Sequence, residues 1–328
     1  MAGFLEIDGV SKRFSPHLTL GDRIAARLGG DVETRAVQAV DAVSLTIERG
    51  ETVGLVGESG CGKSTLGRVA AGILTPSAGR VSLEGAPVMT AGRKVTTRIQ
   101  TVFQDPFASL DPRMRVGDIV AEGAVSHGIV PRAEARGYAA EWLERVGLEA
   151  GFADRFPHQF SGGQRQRIAI ARALAMKPDM LICDEPVASL DVSIQAQIIN
   201  LFLKLRRELS ITCLFISHDL GVVRHVSDRV AIMYLGKVVE LGTTEAVYER
   251  PKHPYTRALL ESVPKLVLED DRLVEFRPIT GEIPSPLAPP PGCHFHPRCP
   301  IAVERCREEV PRFRELASDQ FAACHLAQ

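Results

Sequence analysis

The stretch that most constrains this chain is Gly57-Glu58-Ser59-Gly60-Cys61-Gly62-Lys63-Ser64-Thr65, which matches the spacing G-x-x-x-x-G-K-[ST]. Its glycines let the backbone curl until several N–H groups point inward, a path that residues with a Cβ follow only under strain. Lys63 brings a positive charge to the terminal phosphates of a bound nucleotide, and the Ser64 hydroxyl is a Mg²⁺ ligand. The context agrees with the motif. Residues 51–57 read as a short buried strand, and the residues from Ser64 onward begin a helix whose N-terminus faces the loop. Strand, anion-binding loop and helix in that order make a nucleoside triphosphate site with Gly57 to Thr65 as its binding residues. They also place the chain in the α/β class.

The 328 residues are enough for two domains, or for one large domain with an appendage, and a hydrophobic content of 45% supports a sizeable core. The 39 Lys and Arg nearly balance the 40 Asp and Glu, so composition points away from a nucleic-acid partner. No apolar run approaches the roughly 20 residues of a membrane span. The first residues carry Glu6 and Asp8 where a signal peptide has a basic end and an apolar stretch. A cytosolic chain is expected, with any membrane role reached through a partner.

Residues 4–8 and about 39–48 read as strands, separated by a polar insertion (15–36) containing Gly29 and Gly30 that is expected to be a surface excursion. Short strands are predicted near 80–84 and 99–103. From about 116 to 158 the pattern is helical, as in Arg132–Arg145. After 178 strand and helix alternate: Met180–Cys183, Ser193–Leu209, Ile211–Ile216, Leu220–Val226, Arg229–Tyr234. Such alternation implies a mainly parallel sheet covered by helices, into which the helical stretch is inserted as a subdomain.

Two further stretches carry chemistry. Ser161-Gly162-Gly163-Gln164 precedes the predicted helix Ile168–Ala175, with Ser161 placed to cap it and the glycines leaving its N–H groups bare as a second anion site. Met180–Glu185 is an apolar strand ending in two acids. Beside a phosphate loop, such a strand end supplies Asp184 to Mg²⁺ and Glu185 to an attacking water.

Together these residues resemble the ATP-binding cassette (ABC) ATPases. Besides the loop, that family carries a Ser-Gly-Gly-Gln signature (Ser161–Gln164), an acidic strand end followed by Ser189-Leu190-Asp191, a glutamine after one strand (Gln104) and a histidine after another (His218). All stand here in the family's order across residues 4–245. The resemblance implies an α/β P-loop NTPase fold with a mainly parallel core sheet, an antiparallel β subdomain, an inserted helical subdomain at about 105–165, and a small irregular tail domain. An ATPase domain over 1–250 and a C-terminal region over 251–328 are expected. It further implies that two cassettes pack head to tail, so that ATP on one phosphate loop is closed by the partner's signature. Glu185 then acts as general base, His218 contacts the γ-phosphate, and Ser64, Gln104 and Asp184 hold Mg²⁺ and its waters. Phe14 stands where the family stacks an aromatic on adenine, with a core position as its other reading.

A narrower resemblance comes from His253-Pro254-Tyr255-Thr256 with Ala258-Leu259-Leu260, and from Asp105–Arg113. Both look like the oligopeptide/dipeptide importer ATPases. This implies a peripheral protein on the cytoplasmic face of the membrane. Its partners would be a second, paralogous ATPase subunit, two membrane-spanning permease subunits and, indirectly, an extracytoplasmic solute-binding protein. The other readings are an importer ATPase for a nickel complex, sugar or opine-like solute, and a soluble cassette working outside transport.

In the tail, Pro284, Pro286, Pro289, Pro290 and Pro291 predict neither regular helix nor strand. Cys293, Cys299, Cys306 and Cys324, four of the chain's seven cysteines, follow. Clustered thiols in a reducing compartment are better metal ligands than disulfide partners, and their softness suits Zn²⁺ or an iron–sulfur cluster. Their spacing lacks the paired C-x2-C of a zinc ribbon. The resemblance implies a [4Fe-4S] cluster, with zinc and plain reduced thiols as alternatives. His294 and His296 are read as loop residues able to substitute as ligands. Cys61, Cys183 and Cys213 are read as structural.

Overall fold

The computed structural model describes residues 3–15, 36–262 and 279–327, so the insertion expected at 15–36 lies almost wholly outside the described residues. The first part of the chain forms β1 (Leu5–Phe14), β2 (Val37–Ile47), β3 (Thr52–Val56), α1 (Lys63–Ala70), β4 (Ala78–Leu83), β5 (Ala86–Pro87), β6 (Met89–Thr90) and β7 (Arg93–Lys94). Next come β8 (Ile99–Val102), α2 (Pro106–Ser109), α3 (Val116–Ser126), α4 (Ala135–Arg145) and α5 (Gly162–Ala175). The remainder is β9 (Met180–Asp184), α6 (Val192–Leu209), β10 (Thr212–Ser217), α7 (Leu220–Val226), β11 (Arg229–Tyr234), β12 (Lys237–Thr243), α8 (Thr244–Glu249), α9 (Pro254–Glu261), α10 (Glu304–Glu308), β13 (Arg314–Ala317) and β14 (Gln320–Ala322).

The core sheet has the order β13-β14-β12-β11-β3-β10-β9-β8. Its centre, from β8 to β11, is parallel, with Cys213 opposite Thr52 and Leu181 on neighbouring strands. Strands buried on both faces read as continuous apolar runs, as Thr212–Ser217 does. Alternate residues split cleanly between two cores. Leu181, Cys183 and Phe215 face one side with α5, α6 and α7, while Ile182, Leu214 and Ile216 face the other with Leu66 and Val69 of α1. Each such side chain fully withdrawn from water contributes about 1.5–3 kcal/mol.

A second, antiparallel sheet of order β2-β1-β4-β5 closes over α1, with Leu5 opposite both Ile47 and Leu83. Helices α2 to α5 stand between β8 and β9, and Trp142 and Leu143 of α4 are buried in the same core as α5. The expected helix at 132–145 begins as a single 3₁₀ turn over Arg132–Glu134.

The tail departs from expectation. Proline-rich residues 284–291 lack regular structure, but the chain recovers after them. β14 pairs antiparallel with β12 (Glu240 opposite Ala322), so the tail extends the core sheet. The signal was faint because β13 and β14 are four and three residues long. Buried Glu240 fixes the junction: it accepts from the Lys252 and His253 N–H groups (2.7 and 2.8 Å) and from the Gln320 amide (3.1 Å).

Candidate functional site

The phosphate loop lies between β3 and α1, with Gly62 at φ 108° leading into the helix. A Cβ on Gly62 would stand 2.1 Å from the Ala39 carbonyl oxygen, and one on Gly57 the same distance from that of Met233. Only glycine lets the loop lie this close to β2 and β11. Lys63 is buried and curls back, its Nζ donating to the carbonyls of Gly57 (2.7 Å) and Glu58 (3.1 Å). A cation in a glycine-rich loop that opens a helix N-terminus suits a polyphosphate. Ser59 and Gly60 are exposed at the loop's tip, Cys61 is buried beneath it, and Thr65 is the third residue of α1.

Phe14 ends β1 opposite Val37, on the strand next to the one that touches Gly62. It is 42% exposed, so it is not core, and Lys12 Nζ lies 5.3 Å from its ring centroid.

Strands β8, β9 and β10 bring the remaining polar groups together at their C-terminal ends, where ligands of open parallel sheets bind. Ser64 Oγ donates to Asp184 Oδ1 at 2.7 Å, and burial pushes the Asp184 carboxyl above its usual range, opposed by that hydrogen bond. The pair is a ready oxygen-donor set for Mg²⁺. Glu185, next in line, has φ 48°, a left-handed conformation rare outside glycine, and its N–H donates to Ile216 O at 2.9 Å. Its Oε2 accepts from Gln104 Nε2 at 3.1 Å and lies 3.3 Å from His218 Nδ1. Gln104, Glu185 and His218, 81 and 33 residues apart in sequence, therefore meet at one carboxylate oxygen.

Ser161 caps α5: its Oγ accepts from Gln164 N (3.3 Å) while Gln164 Oε1 accepts from Ser161 N (3.0 Å). This reciprocal box satisfies two donors and leaves the first N–H groups of the helix, those of Gly162 and Gly163, without intrahelical acceptors. Both glycines pack on the segment after Glu185. A Cβ on Gly162 would sit 3.5 Å from Leu190, and one on Gly163 only 2.5 Å from Ile194. Ser189 and Asp191 are exposed on either side of Leu190.

The four tail cysteines carry no disulfide and line one small cavity together with His253, Phe295, His296 and His325. Among the described residues no group of three or more His, Cys, Asp or Glu is arranged to hold a single metal ion. That bears equally on the zinc and the iron–sulfur expectations for these cysteines. Burial pushes Cys293 up to about 11 and raises Cys299 too. His294 turns away to Leu235 O (3.2 Å) and His296 Nδ1 bonds Cys293 O (2.9 Å). Cys213 Sγ donates to Cys183 Sγ in the core at 3.9 Å, and the two form no disulfide.

Two residues at the phosphate loop were not singled out as such in the sequence. The Tyr255 hydroxyl accepts from the Glu58 N–H at 3.0 Å, and Arg298 forks onto both Glu58 carboxylate oxygens. No spacing rule links residues 197 and 240 positions apart, so nothing in the sequence marked them.

Comparison with known proteins agrees with this geometry. The ABC transporter family matches residues 40–188, and the family "Oligopeptide/dipeptide transporter, C-terminal region" matches 239–306. The oligopeptide transport ATP-binding protein AppF of Bacillus subtilis is 50% identical over 295 residues, 88% of this chain and 90% of that one. Among solved structures, cbiO1 of Clostridium perfringens, part of the ABC transporter complex cbiONQ, superposes with a TM-score of 0.61 at 32% identity, covering 76% of this chain and 93% of that one. A dimeric ATP-binding cassette in a post-hydrolysis state with ADP and Pi gives 0.61 at 28%, covering 73% and 98%. The chain belongs to the ABC transporter ATPases, in their oligopeptide/dipeptide import family.

Proposed function

We propose that this chain binds and hydrolyses Mg-ATP as one of two cassettes that drive the uptake of di- and oligopeptides across the cytoplasmic membrane. The observation that carries the reading is the convergence of Gln104, Glu185 and His218 beside the Ser64–Asp184 pair at the mouth of the phosphate loop. In this reading Lys63 and the loop N–H groups hold the β- and γ-phosphates. Ser64, Asp184 and Gln104 would hold Mg²⁺, which when bound would supply positive charge against the transferred phosphoryl group. Glu185 takes the proton of the attacking water, held by Gln104 and His218 on its Oε2 edge. The peptide substrate is supported by the match to the peptide-transporter C-terminal family and by AppF.

The exposed N-terminus of α5 supports a shared site: Ser161–Gln164 would close on ATP held by a second, paralogous cassette, with Ser189–Asp191 beside it. Among the described residues no helix is long and apolar enough to cross a membrane. Two membrane-spanning permease subunits would therefore carry the solute, fed by a solute-binding protein, with this chain peripheral on the cytoplasmic face. The four cysteines around one cavity support a [4Fe-4S] cluster held by Cys293, Cys299, Cys306 and Cys324.

The test is reconstitution with the permease subunits and the partner cassette in vesicles. Peptide uptake that requires ATP and this chain is the expected result. Uptake of a nickel complex or sugar but no peptide would overturn the substrate, and ATPase activity in a chain that never associates with membrane subunits would overturn the transport role.

A further inference from the structure

We propose that Arg298 is a positioning residue of the nucleotide site, holding Glu58 so that the phosphate loop keeps its shape and does not present an unpaired negative charge to ATP. The inference rests on the ATPase reading above. Glu58 directly follows Gly57, so its carboxylate is a negative charge carried by a loop built for a polyanion. Arg298 Nη1 and Nη2 donate to Glu58 Oε2 and Oε1 at 2.7 and 3.0 Å, one nitrogen on each oxygen. The Arg298 side chain is 3% exposed, against 21% for Glu58. A buried two-pronged pair of this kind is strong, and breaking it leaves an uncompensated charge.

The rest of the loop residue is held in the same way. Its N–H donates to Tyr255 and its carbonyl accepts from Lys63, so backbone and side chain of Glu58 are all engaged. Two of those three partners come from beyond residue 250. Tyr234, Tyr255 and Phe295 pack with ring centroids 4.7 to 5.3 Å apart, and the guanidinium of Arg298 also reaches Tyr234 Oη at 3.4 Å. Arg298 closes the 3₁₀ turn His296–Arg298 and precedes Cys299 directly. The same segment therefore lines the cysteine cavity and fixes the loop, which ties ATP affinity to the docking of the tail.

The discriminating experiment is a charge cycle on the full-length protein. ATP affinity is measured by fluorescence of a labelled ATP, alongside thermal unfolding, for R298Q, R298K and R298Q/E58Q. The expected result is about a tenfold loss of affinity in R298Q, the worth of a hydrogen bond between charged groups. R298K should lose less, because it keeps the charge without the fork. Removing the stranded carboxylate in R298Q/E58Q should recover most of the loss, and in the assembled transporter KM for ATP should move more than kcat. If Arg298 served only to pin the tail, the double variant would be as weak as R298Q, and that outcome overturns the proposal. So does an R298Q affinity within twofold of wild type. Should R298Q fail to fold, R298K and the double variant carry the comparison. A wild-type chain that bound no ATP would instead overturn the ATPase reading itself.

Discussion

Asp184 and Glu185 are chemically alike and adjacent, yet their surroundings give them different work. Asp184 is buried against Ser64 and tethered by its hydroxyl, whereas Glu185 is turned out of the strand by a left-handed backbone and meets Gln104 and His218. Strain at a non-glycine residue costs about 1–3 kcal/mol and persists only where neighbours hold it, here the Glu185 N–H bond to Ile216 O among them. Glu185→Gln keeps the shape and the Gln104 and His218 neighbours but removes the proposed base. Hydrolysis by the assembled transporter should fall by at least about two orders of magnitude, with ATP binding retained. Steady-state turnover, after subtraction of the partner cassette's own, checks this; retention of most activity would remove Glu185 from the role. The sequence made these residues legible because each stands at a motif position. It did not reveal that they meet on one oxygen, since order along a chain carries no distance, nor that Phe14 is exposed rather than core.

The elements show the same division. Strand, loop and helix at 52–70, and the capped start of α5 at Ser161, were legible because turn and cap chemistry is local. The two helix N-termini do different work in the proposed shared site, which separates two variants. Lys63→Ala should lose nucleotide affinity in the isolated chain, whereas Ser161→Ala should bind ATP normally and fail to form the closed pair of cassettes. Equal loss of nucleotide binding in both would contradict the shared site, and equilibrium binding with sizing chromatography distinguishes these outcomes. By contrast β13 and β14 were not legible, because short strands are stabilised by a partner far away in sequence. Their anchor is Glu240, and Glu240→Ala would strip an acceptor from two backbone N–H groups and the Gln320 amide, costing about 3 kcal/mol or more. Burial raises the Glu240 carboxyl above its ordinary 4.5, against those donors, so the folded chain holds the proton more tightly than the unfolded one. Its contribution to stability is then fullest below pH 4.5 and declines as pH climbs through the raised range. Unfolding midpoints of the two proteins should converge as pH rises; a gap that widened instead would reverse the assigned shift.

At the scale of the molecule, a three-residue strand joins the tail to the core sheet, an arginine joins it to the phosphate loop, and a proline-rich stretch links these to the ATPase body. Such a segment has little apolar core of its own, and a metal site supplies the cross-links a small unit lacks. If Cys293, Cys299, Cys306 and Cys324 hold a cluster, protein purified without oxygen should be brown and contain iron and sulfide in matching amounts. Cys299→Ser should bleach the colour and open residues after 280 to protease. Because Arg298 adjoins Cys299, that variant should also bind ATP more weakly, though less so than Lys63→Ala, which removes the proposed phosphate-binding cation outright. The readouts are elemental analysis, the visible spectrum, limited proteolysis and ATP affinity on one preparation. Zinc without iron would replace the cluster with a structural ion, and neither metal would leave four reduced thiols packed in a cavity. A tail that stayed protease-resistant in Cys299→Ser would show that β14, Glu240 and Arg298 hold it without help from the cysteines.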